Sequence, residues 1–233
     1  MYRITLHSLT AFFKNDMTIT SVQQTYNCPP LSMVFGLISA ATGEKTEPVN
    51  VGYIFDYQGK TRDYELIIGP LDPDYKKAYY KLIESERAID RHDILQGFYG
   101  ATPVQREILF GCTLQLYIEN EHIAECFSHP YYTLLMGRSE DLAFVKKIEK
   151  VDLRQGERNI FIGKTIIPFS PSESEVFGHI CSMPVYISDD IPRKVTRAGI
   201  FIIAERDRHR IANETGRFLY DPEIEKGVFI HTF

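Results

Sequence analysis

Residues 2–7, "YRITLH", alternate, with Tyr2, Ile4 and Leu6 on one side and Arg3, Thr5 and His7 on the other. Period-two alternation of this kind predicts a half-buried strand. The pattern changes at residues 30–42, where Leu31, Val34, Phe35, Ile38 and Ala41 recur at helical spacing. Pro30 suits a first helical turn and Gly43 suits the position just past a helix end. "VNVGYIF" (49–55) and "TRDYELII" (61–68) predict two strands around a turn at "YQGK". "REILFGCTLQLYI" (106–118) gives the clearest strand, with Ile108, Phe110, Cys112, Leu114, Leu116 and Ile118 alternating. A short amphipathic helix follows at 119–128, stopped by His129-Pro130. Then come a strand at "YYTLLM" (131–136) and a helix at "SEDLAFVKK" (139–147).

The first 136 residues thus read as strand–helix–strand twice over, the α+β, ferredoxin-like pattern of a split βαβ domain. Residues 70–104 interrupt it with a charged, Tyr-rich, partly helical stretch that is longer than ordinary connections and reads as an insertion. After residue 148 only short strands remain, punctuated by Pro, Gly and Ser. The chain therefore divides into residues 1–147, carrying the insertion, and a small β-rich domain over 148–233.

Composition narrows the function classes. The net charge of −5 is the wrong sign for a protein that binds nucleic acid unaided, so any such binding needs a local patch and other subunits to share the neutralisation. No run of 18 apolar residues is present, which predicts no membrane span. The N-terminal residues do not read as a signal peptide. Cys28, Cys112, Cys126 and Cys181 are scattered with no CxxC pair, which suits a reducing cytoplasm and gives no zinc ribbon. No cofactor or metal site is expected. His122 and Glu125 are too few for a metal, and "ATGEKT" misses the P-loop spacing because Glu44 separates Gly43 from Lys45.

Candidate chemistry concentrates at the helix start in "YNCPPLSMVFGLISAATG". Ser32, Gly36, Ser39, Ala40 and Gly43 form a strip of small residues beside the apolar face. Such a strip either admits another backbone or packs against a sheet. The amides of Leu31, Ser32 and Met33 are expected to be free at the positive end of the helix dipole, with the Ser32 hydroxyl beside them. Phe98 and Tyr99, in the Gly97–Gly100 loop of the insertion, either stack on a partner or fold back on their own domain. Gln105 and Arg106 precede the long strand, and Arg138 follows Gly137 at a junction. The arginines either fork onto a phosphate or cap a helix, or, for Arg138, pair with Glu140. The basic runs "RKVTR" (193–197) and "RDRHR" (206–210) read as solvated faces.

Three blocks together resemble the CRISPR-associated Cas-five family. "TYNCPPLSMVFGLISAATG" is similar to its Pro-Pro-Ser-Gly-Ala helix start, "TPVQREILFGCTLQLYI" to its "QRE" strand, and "HPYYTLLMGRSEDLAFV" to its GRSEDLA block. The last is the most specific, and the flavour is closest to the short variants of type I-B complexes. The resemblance covers essentially the whole chain and is weakest after residue 150. It implies a ferredoxin-like, RRM-like domain of the RAMP kind, with residues 70–104 as a thumb and a small β-rich C-terminal domain. It also implies a cytoplasmic, non-catalytic subunit of the Cascade complex in antiviral defence. Such a subunit grips the 5′ handle of the crRNA, joins the backbone filament to the large subunit, and meets target DNA only indirectly. On that resemblance Tyr26, Leu31, Ser32, Met33 and Gly36 lie along the handle, Gln105, Arg106, Gly137 and Arg138 line the adjoining groove, and Phe98 and Tyr99 wedge into the guide. One branch of the family cuts precursor crRNA, without metal, using a Tyr, Lys and His set. Tyr26 could stand in for that Tyr, but no Lys-His pair accompanies it, so the endoribonuclease is the alternative reading.

Overall fold

The computed structural model describes residues 1–15, 22–45, 47–70, 99–156, 159–170, 176–188, 190, 193–204, 209–213 and 216–233. Among them the chain is mostly β-sheet with two helices. No helix is long and apolar enough to cross a membrane among the described residues. The chain forms two compact units. One comprises Met1–Lys14, Thr25–Thr61 and Ile108–Phe233, and the other Asn15–Gln24 and Arg62–Glu107.

The core of the first unit is an antiparallel sheet of four strands. These are β1 (Tyr2–Ala11), β3 (Val51–Asp56), the latter part of β5 (Tyr99–Ile118) and β6 (Ala143–Lys150), in the order β3-β5-β1-β6. β1 lies between β5, with Ile4 opposite Leu116, and β6, with Ile4 opposite Ile148. Helix α1 (Leu31–Thr42) connects β1 to β3, and helix α2 (Glu121–Cys126) connects β5 to β6. Alternation along the strands sends Ile4, Leu6, Tyr53, Phe55, Leu114, Leu116 and Ile118 into one core with Leu31, Val34, Phe35 and Ile38 of α1. Gly43 takes φ +77 after α1, and its N–H donates to the Ser39 carbonyl, so the expected helix end stands where a left-handed residue is needed.

Residues 148–233 do not separate as the sequence suggests, because they finish the sheet and cover α1. β14 (Lys226–His231) pairs antiparallel with β3, Ile230 opposite Gly52, and parallel with β8 (Ile160–Ile162). A second sheet of β9 (Thr165–Pro168), β11 (Val195–Ala204) and β10 (His179–Ile187) contributes Ile166, Met183, Val185, Phe201 and Ile203 to the α1 core. Buried Arg3 adds a polar tie, since its guanidinium donates to Asp221 at 2.6 Å and to Glu149 at 3.0 Å. The Tyr117 hydroxyl donates to the same Asp221 at 2.8 Å.

Two expected elements differ. Residues 139–147 are not a helix; a tight turn precedes β6 at Ala143. Residues 131–136 are not a strand, and only an isolated bridge joins Leu135 to Leu142. The Tyr131 and Tyr132 amides instead donate to the Ala41 and Ala40 carbonyls, satisfying the last turn of α1. In the second unit, β2 (Val22–Gln23) runs parallel to β5, Val22 opposite Gln105. Residues 71–98 of the expected thumb lie outside the described residues.

Candidate nucleic-acid interface

Helix α1 is buried on two flanks, because Leu37 and Ala41 are enclosed as well as the Leu31–Val34–Phe35–Ile38 row. What reaches solvent is the small strip. Gly36 is exposed, while Ser32, Ser39, Ala40 and Gly43 are half-buried. A Cβ built on Gly36 would have no atom of the described residues within 4 Å. The strip is therefore not packed against the sheet at its centre. Gly43, at its end, is different: a Cβ there would stand 2.6 Å from Cγ of Tyr131.

At the start of α1 the amides are partly committed. The Met33 N–H donates to the Pro30 carbonyl at 3.0 Å, which corrects the expectation of three free donors. Pro30 itself is in extended conformation and no side chain caps the helix. The Leu31 side chain is in the core, so only its backbone can serve a ligand. Tyr26 also departs from the surface role expected of it. It is 5% exposed, and its hydroxyl donates to the Ser182 carbonyl at 2.8 Å.

Gly137 and Arg138 form a self-contained turn. Gly137 has φ +127, and a Cβ would run into the Phe12 carbonyl oxygen, so glycine is required by backbone proximity and conformation together. Arg138 does not pair with Glu140. Its backbone N–H and Nε donate to Oδ2 of Asp141 at 2.9 and 3.1 Å, and Nη2 donates to Oδ1 at 3.0 Å. Thr10 Oγ1 supplies a further hydrogen bond to this fully buried carboxylate at 2.7 Å. Arg138 thus holds the GRSEDLA turn rather than offering an open fork.

Gln105 and Arg106 belong to the second unit. Gln105 Nε2 donates to the Tyr64 hydroxyl at 3.1 Å. Arg106 donates through Nε to Gln23 at 3.1 Å and pairs with Glu65 at 2.8 Å. Phe98 lies outside the described residues, as does the side chain of Tyr99.

The residues that sequence reasoning missed are Tyr131 and Tyr132. They are 70% and 59% exposed, with ring centroids 4.7 Å apart in an edge-on pair. Together with the strip they place two exposed rings beside the C-terminal end of a smooth helix face. Flat π-faces next to an exposed strip of small residues suit a single-stranded nucleic acid, whose bases stack without regard to sequence. Among the described residues no group of three metal-ligating side chains occurs.

No family model matches the chain, and no curated protein matches it. Among solved structures it is similar to a chain of a CRISPR RNA-guided surveillance complex, with 13% identity, TM-score 0.47, and 88% of this chain and 90% of that chain covered. A chain of the type III-B Cmr-beta complex bound to cognate target RNA and AMPPnP gives 12% identity and TM-score 0.49 over 87% and 84%. A CRISPR protein from Archaeoglobus fulgidus gives 11% identity and TM-score 0.43 over 100% and 99%. At TM-scores below 0.5, these likenesses assign neither a fold family nor a function to the chain.

Proposed function

We propose that this chain is a non-catalytic RNA-binding subunit of a type I CRISPR Cascade complex, one that holds the 5′ handle of the crRNA along the exposed strip of α1. In that role it would join the backbone filament to the large subunit, act in the cytoplasm, and meet target DNA only through the assembly. Three sequence blocks support the family reading. The strand order β3-β5-β1-β6, with a helix after the first and third of these strands in sequence, supports reading the domain as a ferredoxin-like split βαβ unit.

The observation that carries the reading is Gly36. A glycine inside a helix costs about 0.5–1 kcal/mol relative to alanine. That cost is usually explained by a neighbour that leaves no room for a Cβ. No atom of the described residues lies within 4 Å here, so the described part of the chain gives the smallness no packing role. A phosphate backbone running from the Ser32 end of the helix toward Tyr131 would use it. The nuclease alternative gains no support, because the Tyr26 hydroxyl is buried on Ser182.

The test uses the tagged chain, co-expressed with its neighbouring subunits and a repeat-spacer transcript. Bound RNA is recovered and its ends are mapped. Ser32→Glu places a negative charge in the first turn, where the helix dipole favours it, so the fold should keep its stability. The same charge repels phosphate, and recovered RNA should fall about tenfold, equivalent to about 1.4 kcal/mol. Unchanged RNA recovery in Ser32→Glu would overturn the proposal.

A further inference from the structure

Beside the start of α1, but on the flank away from the strip, the first unit contains a cavity of about 440 Å³. Leu31 forms one wall, and the rest comes from β9, β10, β11 and the chain around β13 (Phe218–Asp221) and β14. Two arginines line it and, among its described lining residues, there is no Asp or Glu. The Arg197 guanidinium lies 5.6 Å from the Phe233 ring centre, and that of Arg217 lies 5.2 Å from the Phe229 ring centre. Guanidinium planes laid on aromatic faces are pre-oriented, with N–H edges directed sideways for an anion to meet.

The floor is rigid. His231 is 4% exposed and packs edge-on against Phe229 at 4.9 Å and Phe201 at 6.1 Å. Among the described residues its Nε2 has no hydrogen-bond partner. Apolar side chains, among them Val185 and Ile200, supply the remaining surface. The cavity falls within the size range of small-molecule sites, and it joins two cationic forks to flat apolar walls.

We propose that this cavity binds a nucleoside monophosphate unit, with the phosphate held by Arg197 and Arg217 and the base laid along the apolar wall. The phosphate needs charge-assisted N–H donors, which guanidinium groups supply. The base needs a flat surface of limited depth, which the β11–β14 side provides. This site is distinct from the helix strip, and the inference does not depend on the chain's place in any assembly.

The test is calorimetric titration of the purified full chain with each of the four 5′-ribonucleoside monophosphates, with the matching nucleosides and with inorganic phosphate. A 5′-phosphorylated tetraribonucleotide and its 5′-hydroxyl form distinguish an RNA end from a free nucleotide. The expected result is that a monophosphate, or the phosphorylated tetranucleotide, binds at least about tenfold tighter than the corresponding molecule without phosphate. Arg197→Gln and Arg217→Gln should each weaken that binding about tenfold or more, the loss expected for one charge-assisted contact. Arg193→Gln, outside the lining, should change it less than about twofold. Inorganic phosphate binding as tightly as the nucleotides would overturn the nucleotide class. So would absence of binding at millimolar ligand, indifference to both arginine variants, or preferential binding of an acidic tetrapeptide.

Discussion

Replacing Gly36 with alanine should make the protein more stable. The site is interior to a 12-residue helix, where glycine carries a penalty of about 0.5–1 kcal/mol through its excess freedom in the unfolded chain. The new methyl group would meet no atom of the described residues within 4 Å, so none of them sets a steric term against the gain. For 233 residues at about 2.1 cal/mol/K each, the unfolding entropy is about 0.5 kcal/mol/K. The gain therefore corresponds to a rise in Tm of about 1–2 °C by scanning calorimetry, with an unchanged enthalpy. Gly36→Leu should keep most of that stability, since leucine is nearly as good a helix former as alanine. Its side chain would project from the strip, however, and RNA recovered with the complex should drop about tenfold. A lowered Tm for Gly36→Ala would mean that the space is filled by the chain itself. Full RNA recovery with Gly36→Leu would mean that nothing approaches the strip.

Asp141→Ala strips the acceptor from Arg138 and Thr10 in a fully buried setting and should cost about 2–4 kcal/mol in urea unfolding; a loss below about 1 kcal/mol would show that the turn is held by other contacts. Tyr26→Phe should lower stability by about 1 kcal/mol while leaving RNA recovery unchanged, because the buried hydroxyl's bond to Ser182 is lost. Burial pulls the pKa of His231 down to about 4, whereas the unfolded imidazole takes its proton near 6.5. The unfolded state therefore binds more protons between these values, and stability should fall by up to about 3 kcal/mol as pH drops from about 6.5 to about 4. His231→Phe should flatten that part of the pH–stability curve, and an unaltered slope would refute the assignment.

Helix α1 was legible because three independent signals agreed: Pro30 at its start, Gly43 after its end, and apolar residues at helical spacing between them. The small strip was visible as well, but not whether it packed or stayed open, because that depends on which flanks the distant strands β10 and β11 would cover. The misread segments have local causes. In β6 a shift of register opposite Thr5 and Leu6 puts Lys146 and Lys147 both outward, and the broken alternation imitates a helical period. Along β5, Gly111 at φ +65 interrupts the alternation, so Leu109 is buried and Phe110 is exposed. The Tyr131–Tyr132 pair carried a weak signal, two aromatics after Pro130 at a helix stop. Its use of backbone amides to close α1 is invisible in a pattern of side chains. Arg138 raised the right question with the wrong neighbour, since one residue beyond Glu140 decides which carboxylate turns inward.

The pairing of β14 with β3 has a consequence for biosynthesis. Strand β3 is translated near residue 51, yet its edge neighbour emerges only at residues 226–231. Gly52, which has no room for a Cβ beneath Ile230 and Val228, waits uncovered through most of translation. An unpaired apolar edge of this kind invites association with other nascent chains. Ribosome-bound intermediates stalled before the last strand should therefore be the species that chaperones engage, and expression of residues 1–147 alone should yield aggregates rather than a working half.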